Sequence, residues 1–138
     1  MQHMGVDEAA RFIRKDPFAA NLGIEFILIE KGHAISRMTL GEEHKNFMGM
    51  IHGGAIFSLA DATFGAAANS GGTRSMAIHV SIDYLAPPGD TNYLQADVRE
   101  TARAGRGGHY QMEVRNDPGD LVAVCHGWAY HTSRPLKG

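Results

Sequence analysis

The most restrictive feature of this sequence is an apolar stretch, residues 55–68, in which Asp61 is the only ionisable side chain. Large apolar residues recur in it at roughly helical spacing, and no proline interrupts them. This pattern predicts a mostly enclosed helix that ends at Gly71 and Gly72, because helices commonly stop at glycine. A helix of roughly 18 residues would be about 27 Å long, which is enough to cross a small domain.

His52, Gly53 and Gly54 precede this stretch and are expected to form the start of the helix. The two glycines allow the backbone and a bound group to approach closely, because no Cβ lies between them. Asp61 would lie two helical turns after Gly53 on the same face. An unpaired carboxylate in apolar surroundings is costly, so Asp61 has a partner, reaches the surface or serves a reaction. A reaction would use the free N–H groups at the helix start to polarise a carbonyl oxygen.

The composition is that of one compact domain spanning residues 1–138, with 43% hydrophobic residues. A chain of this size builds a core but has little room for a deep substrate cavity of its own, which favours a site shared between subunits. The formal charge of −2 and the lack of a basic run give no support for nucleic-acid binding. Because neither a membrane-spanning apolar run nor a signal-peptide core is present in the sequence, we expect a cytoplasmic protein that does not bind membranes.

Other polar and reactive side chains permit fewer conclusions. The single cysteine, Cys125, cannot form an internal disulfide, and its apolar strand pattern predicts a buried, reduced thiol. His44 and His52 lack metal-ligand spacing, so no metal site is predicted. Asn46 lies in the loop before the long helix, where an asparagine serves either a turn or a reaction.

The remaining elements follow from apolar alternation and turn residues. A short amphipathic helix should end near Asp16, since Pro17 disfavours helix at the residue before it, and it should cover one end of the fold. Strands are predicted on both sides of the long helix, at 24–30, 34–40, 75–85, 91–102, 109–115 and 121–131. This order predicts an α+β domain in which one antiparallel sheet wraps the long helix.

Three arginines lie in or near the turn predicted between the strands at 91–102 and 109–115. Arg99 and Arg103 would project to the same side of a regular strand, and Arg106 follows in a glycine-rich turn. They are either solvated surface charges or a binding site for phosphate groups, whose geometry suits guanidinium.

A resemblance covers nearly the whole chain after the first ten residues. Asn46, the His52-Gly53-Gly54 run and Asp61, followed by Ala-x3-Ala-x2-Asn-Ser, resemble the signature of hotdog-fold acyl-CoA thioesterases. The phenylacetate-degradation branch is the most similar, and segments 17–24 and 81–87 resemble its sequence before and after the helix. The resemblance implies the hotdog fold, an antiparallel sheet around a long central helix.

The same resemblance implies hydrolysis of the thioester of an aryl- or short- to medium-chain acyl-CoA. Coenzyme A is then part of the substrate, and no separate cofactor is expected. The family forms homodimers with shared active sites and dimers of dimers, so Asp61 of one chain should face Asn46, His52 and Gly53 of its partner. Asp61 would act as nucleophile or as general base, and the two routes stay open. Gly53 N–H would polarise the thioester carbonyl, Asn46 would position water or substrate, and His52 would orient the loop.

Substrate contacts are expected from several further residues. Gly54 and Phe57 are expected to bind the substrate, and Arg103 and Arg106 are expected to contact the phosphates of coenzyme A. Apolar side chains that could line an acyl slot, or be ordinary core, are Phe47, Met48, Met50, Phe57 and Phe64. An acyl-carrier-protein substrate also stays open.

One position departs from related branches, which carry a Ser or Thr shortly before the aromatic residue of the strand after the helix. Ala77 falls there in this chain, so Ser75, Ser81 or Thr63 would have to supply the hydroxyl. Two other functions remain as alternatives. One is a hotdog dehydratase, and the other is a non-catalytic acyl-CoA-binding module, which would not need the carboxylate of Asp61.

Overall fold

A computed structural model describes residues 4–137 of the chain as three α-helices and six strands. Their bounds are α1 Val6–Ile13, α2 Pro17–Asn21, β1 Ile24–Glu30, β2 His33–Thr39, α3 Gly53–Asn69, β3 Thr73–Tyr84, β4 Tyr93–Ala104, β5 Gly107–Asn116 and β6 Leu121–Pro135. A short 3₁₀ turn, Glu42–His44, lies between β2 and α3. The strands form one antiparallel sheet in the order β1-β2-β4-β5-β6-β3. The predicted α+β architecture is therefore confirmed.

The helix α3 lies against the inner face of this sheet. Leu59 and Phe64 are fully buried, and small residues elsewhere on the helix allow strands to approach it closely. The sheet contributes Met38, Leu94 and Val98 to the same core. Within residues 4–137, no helix is long and apolar enough to cross a membrane.

The N-terminal segment differs from the prediction of one short helix that ends near Asp16. The first helix stops at Ile13, and a second one begins directly at Pro17. The Asp16 side chain caps this second helix by accepting hydrogen bonds from the N–H groups of Phe18 and Ala19 at 3.0 and 3.2 Å. Proline fits the first helical position because its missing N–H would be unpaired there in any case.

The strand β4 contains an irregularity that corrects the expected placement of two arginines. Its pairing with β5 shifts between Glu100 and Ala102, which interrupts the alternation of faces. Arg103 consequently lies on the same side as Glu100, and the two side chains are 2.8 Å apart. Arg99 lies on the outer face, where its Nε is 3.5 Å from Asp97. The prediction that Arg99 and Arg103 share a side was wrong.

The strand β3 is an edge of the sheet. It pairs with β6 on one side, and no other strand of the described residues pairs with it on the other side. Two of its large apolar side chains, Met76 and Ile78, are 59% and 65% exposed. A long, apolar, unprotected edge strand offers a row of backbone groups to a further strand.

Candidate active site

The loop before α3 is held by a buried histidine. The Nδ1 atom of His44 accepts a hydrogen bond from Gly41 N–H at 3.0 Å, and its Nε2–H donates to the Leu22 carbonyl at 2.7 Å. These partners fix the neutral tautomer with the proton on Nε2. The backbone carbonyl of His44 also accepts from His52 N–H at 2.7 Å, so this ring positions the start of α3.

The side chain of Asn46 stabilises its own loop. Its Oδ1 accepts hydrogen bonds from the N–H groups of Met48 and Met50 at 2.9 and 3.1 Å. Gly49 closes the same turn with a positive φ of 77°, a conformation that glycine adopts without strain. Asn46 therefore stabilises a turn, which is one of the two roles expected for it. Its Nδ2 group is the part of the side chain that is left for contact with a ligand.

The first two N–H groups of α3 differ in their hydrogen bonding. His52 is the N-cap, and its Nδ1 accepts from Gly54 N–H at 2.8 Å. The Gly54 N–H is thus engaged, while the N–H of Gly53 has no hydrogen-bond partner among residues 4–137. Helix N-termini favour negative charge, so Gly53 offers a donor to a developing oxyanion.

A tyrosine that sequence reasoning had not assigned supports this position. Tyr84 Oη donates a hydrogen bond to the Gly53 carbonyl at 3.0 Å. A Cβ added at Gly53 would lie 3.4 Å from the Tyr84 ring, which is ordinary contact at its lower limit. The Tyr84 hydroxyl therefore helps to fix the Gly53–Gly54 peptide, which directly follows the open N–H of Gly53. No local pattern marks this role, because Tyr84 is 31 residues away in the chain.

Asp61 lies at the border of two cavities on the exposed side of α3. One is a small cavity of about 190 Å³ shared with Phe64 and Ala77. The other is a larger cleft of about 560 Å³ beside the N-terminal helices. The residue is exposed in the single chain, yet neighbouring atoms partly desolvate the carboxyl, and this burial raises its pKa above the usual value.

The small cavity narrows the choice of a hydroxyl that could replace the one missing at Ala77. Ser75 lines this cavity beside Ala77, and its Oγ lies 2.6 Å from His131 Nδ1. Ser81 instead hydrogen bonds to His126 at 2.8 Å. Thr63 is buried, and its hydroxyl donates to the carbonyl one turn earlier. Of the three candidates, Ser75 alone borders the cavity of Asp61.

A separate polar cavity of about 720 Å³ lies near the C-terminal end of α3 and includes both Arg103 and Arg106. Arg103 pairs with Glu100, which also accepts a hydrogen bond from the Tyr110 hydroxyl at 2.6 Å. Arg106 donates to the His131 carbonyl at 3.3 Å. The structure thus brings the two predicted arginines together in one cavity, away from Asp61.

The predicted acyl-slot residues are not brought together within one chain. Phe47 is 96% exposed, and Met48 and Met50 are exposed on the same loop. Phe57 is half-buried on α3, whereas Phe64 is in the core, with its ring centroid 5.2 Å from that of Tyr110. Of this set, Phe64 lines the small cavity of Asp61.

The carboxyl of Asp61 and the open N–H of Gly53 are also separated. Eight residues of α-helix correspond to about 12 Å along the axis. A thioester carbonyl receives a hydrogen bond at about 3 Å and reacts with a group at about 3 Å, so one carbonyl cannot use both groups of one chain. Within residues 4–137, no group of three or more His, Cys, Asp or Glu side chains could hold a metal ion.

Comparison with known proteins identifies the family. A family model described as the thioesterase superfamily matches residues 48–123, which include the start of α3 and Asp61. The chain belongs to this superfamily. The chain is 33% identical over 140 residues to the acyl-coenzyme A thioesterase PaaI of Escherichia coli K12, covering 100% of this chain and 99% of that protein. The E. coli PaaI structure gives a TM-score of 0.86 at 31% identity and covers 94% of each chain.

Two further proteins are similar to this chain, with a lower coverage or a lower TM-score than E. coli PaaI. A putative esterase of Archaeoglobus fulgidus is 33% identical over 120 residues, covering 87% of this chain and 78% of that protein. A Streptococcus mutans structure bound to acetyl CoA has a TM-score of 0.74 and 26% identity, covering 81% and 90%. The predicted PaaI-like branch of the hotdog thioesterases is confirmed, and with it the predicted class of thioester hydrolase.

Proposed function

We propose that this protein hydrolyses acyl-CoA thioesters with an aryl or a short- to medium-chain acyl group, releasing the free acid and coenzyme A. The main support for the proposal is the environment of Asp61. This residue is the one ionisable group in the apolar stretch 55–68, it lies at the border of a cleft, and its carboxyl pKa is raised. Support also comes from the E. coli relative, an acyl-coenzyme A thioesterase, and from the S. mutans relative bound to acetyl CoA. Coenzyme A enters as part of the substrate, and the reaction needs no further cofactor.

The active unit in this proposal is a homodimer. Because Gly53 and Asp61 of one chain are about 12 Å apart along the helix, the site combines Asp61 of one chain with Gly53 of a second. The edge strand β3, with exposed Met76 and Ile78, is the surface that brings the two chains together. Pairing of two such edges would continue the sheet and cover these side chains. Two dimers then associate into a tetramer.

In the proposed reaction, the thioester carbonyl accepts a hydrogen bond from Gly53 N–H, which stabilises the negative charge that develops on oxygen. In the general-base route, Asp61 removes a proton from water, whose oxygen attacks the carbonyl carbon. The C–S bond then breaks, and the proton passes from Asp61 to the thiolate sulfur. A raised carboxyl pKa makes Asp61 a stronger base for this step.

In the nucleophilic route, a carboxylate oxygen of Asp61 attacks the carbonyl carbon directly, and the coenzyme A thiolate leaves. Water then hydrolyses the mixed anhydride. A single turnover in ¹⁸O-labelled water identifies the nucleophilic route if label enters the protein, since hydrolysis at the Asp61 carbonyl would leave label there. Label confined to the free acid would indicate the general-base route or hydrolysis of the anhydride at its acyl carbon.

The other site residues have supporting roles. His52 accepts from Gly54 N–H through Nδ1, so it presents its Nε2–H as a donor and orients the helix start instead of removing a proton. Asn46 contacts water or substrate through Nδ2, since its oxygen is engaged in the loop. Phe57 lies near the acyl group. Arg103 and Arg106 bind the phosphate groups of coenzyme A, for which the polar cavity offers space.

The test is thiol release from phenylacetyl-, benzoyl-, hexanoyl- and palmitoyl-CoA by wild type and by Asp61→Asn. We expect kcat to fall by roughly 10²- to 10⁴-fold in the variant, the range for loss of a general acid or base. Asp90→Asn, which changes an exposed carboxylate in a surface turn, is the matched control. Circular dichroism and light scattering establish that each variant is folded and has the same number of subunits as wild type.

Wild-type protein that binds acyl-CoA without releasing thiol would contradict the proposal and favour the binding-module alternative. Turnover that survives Asp61→Asn would leave the activity in place and overturn the role of Asp61.

A further inference from the structure

An apolar cleft beside Asp61 lies where sequence reasoning had placed no ligand. It runs between the N-terminal helices and the exposed side of α3 and has a volume of about 560 Å³, which is within the usual range for small-molecule sites. Its walls and floor include the side chains or backbone of Phe12, Ile13, Phe18, Ala62, Gly65 and Ala66. Lys15 and Asp16, of opposite charge, also border it.

Two aromatic rings line this cleft without being covered by the rest of the chain. Phe12 on α1 is 40% exposed, and Phe18 on α2 is 57% exposed. Removing the surface of a phenylalanine side chain from water is favourable, so an apolar ligand that contacts these rings gains binding energy from surface that folding leaves in water.

Gly65 forms part of the floor of the cleft and also borders the small cavity of Asp61. It lies one helical turn after Asp61 in the interior of α3, where glycine is less favourable for the helix than alanine. A Cβ added at this position meets no atom within 4 Å, so packing within the chain does not require the glycine. The missing side chain leaves space open directly beside the carboxyl.

We propose that this cleft binds the acyl group of the substrate, with Phe12 and Phe18 as specificity-determining residues and Gly65 as the position that limits acyl size. The inference rests on the proposed thioesterase function, because the reacting carbonyl must lie beside Asp61 and the acyl group therefore begins there. An apolar cleft with aromatic walls suits an aryl or medium acyl chain. The arginine-containing cavity elsewhere suits the phosphate end of the same substrate.

The experiment compares acetyl-, hexanoyl- and phenylacetyl-CoA with Gly65→Ala, Gly65→Leu, Phe12→Ala and Phe18→Ala. For Gly65→Leu we expect kcat/KM to fall at least tenfold with the two larger acyl groups and less than threefold with acetyl-CoA. Gly65→Ala should be intermediate in activity and have an equal or higher melting temperature, since alanine favours the helix. Each Phe variant should raise KM for phenylacetyl-CoA about tenfold and leave acetyl-CoA little changed. Ile27→Ala, an exposed apolar residue on β1 outside the cleft, is the matched control.

A loss that is equal for all three acyl groups, or no loss, would overturn the proposal. If Gly65→Leu dissociates the dimer, the glycine serves packing between chains, and its assignment as a size limit is wrong.

A binding measurement separates failure of this inference from failure of the thioesterase function. Calorimetry with a non-hydrolysable thioether analogue of phenylacetyl-CoA should show tighter binding than with coenzyme A alone. Phe18→Ala should remove most of that gain, whether or not the wild-type protein turns over any thioester. Equal binding of the analogue and coenzyme A by wild type would overturn the acyl cleft.

Discussion

Replacing His44 by alanine tests whether this ring holds the loop at the start of α3. The substitution leaves Gly41 N–H and the Leu22 carbonyl without their partners at 3.0 and 2.7 Å. Each lost hydrogen bond lowers the free energy of unfolding by about 1 kcal/mol, since the groups left unpaired are partly buried. The side chain is fully buried, so the void that it leaves adds about 1 to 2 kcal/mol. We therefore expect the free energy of unfolding to fall by about 3 to 4 kcal/mol, a large part of the roughly 5 to 15 kcal/mol available to a domain.

Equilibrium unfolding in urea measures this loss as a lower midpoint with an unchanged slope. His44→Asn provides a graded comparison, because its side-chain oxygen can still accept from Gly41 N–H, and we expect about half the loss. His126→Ala is the matched control, since His126 is exposed and its hydrogen bond is to Ser81, a half-buried serine on the edge strand. A His44→Ala protein within 1 kcal/mol of wild type would refute the account of the loop.

Three further predictions concern the core and its charges. Burial favours a raised pKa for Glu100, but hydrogen bonds from Arg103 and Tyr110 outweigh it and lower the pKa. Wild type should therefore be more stable than Glu100→Gln above pH 4.5, and the difference should disappear as pH falls through the lowered pKa, as urea titrations at several pH values would show. Gly127→Ala should destabilise by about 1 to 3 kcal/mol in thermal unfolding, because the added Cβ would lie 2.9 Å from the His79 carbonyl oxygen; an unchanged melting temperature would contradict this. Burial raises the pKa of the Cys125 thiol to about 11, so iodoacetamide at pH 8 should alkylate the folded protein much more slowly than the urea-unfolded chain, and equal rates would refute its burial.

Much of the fold was predictable because its signals are local. The long helix was predicted from the helical spacing of apolar residues in 55–68 and from the glycines that follow. The observed helix α3 spans Gly53–Asn69. The buried, unpaired Cys125 was likewise predicted from its strand pattern and is observed. A local signal was also present for the helix at Pro17, since aspartate before proline is a common helix start, but the proline was interpreted as a stop.

The features that were missed depend on contacts between distant segments. The shift in β4 that separates Arg99 from Arg103 is set by the register with β5, which one strand does not encode. His44 serves a carbonyl 22 residues away, and Tyr84 serves Gly53 across the fold. The acyl cleft was missed for the same reason, because the path of the N-terminal helices over α3 follows from packing and not from their own amphipathic pattern.

The unpaired edge of β3 also affects folding, because it exposes the newly made chain to aggregation. Its central segment, residues 75–82, carries no Asp, Glu, Lys, Arg or Pro, and its side chains Met76 and Ile78 face solvent until another surface covers them. A freshly synthesised chain therefore passes through an interval in which this edge can pair with any other exposed strand, including that of a misfolded copy. Refolding from denaturant should give its highest yield at intermediate protein concentration, where correct encounters are frequent and aggregation is still slow.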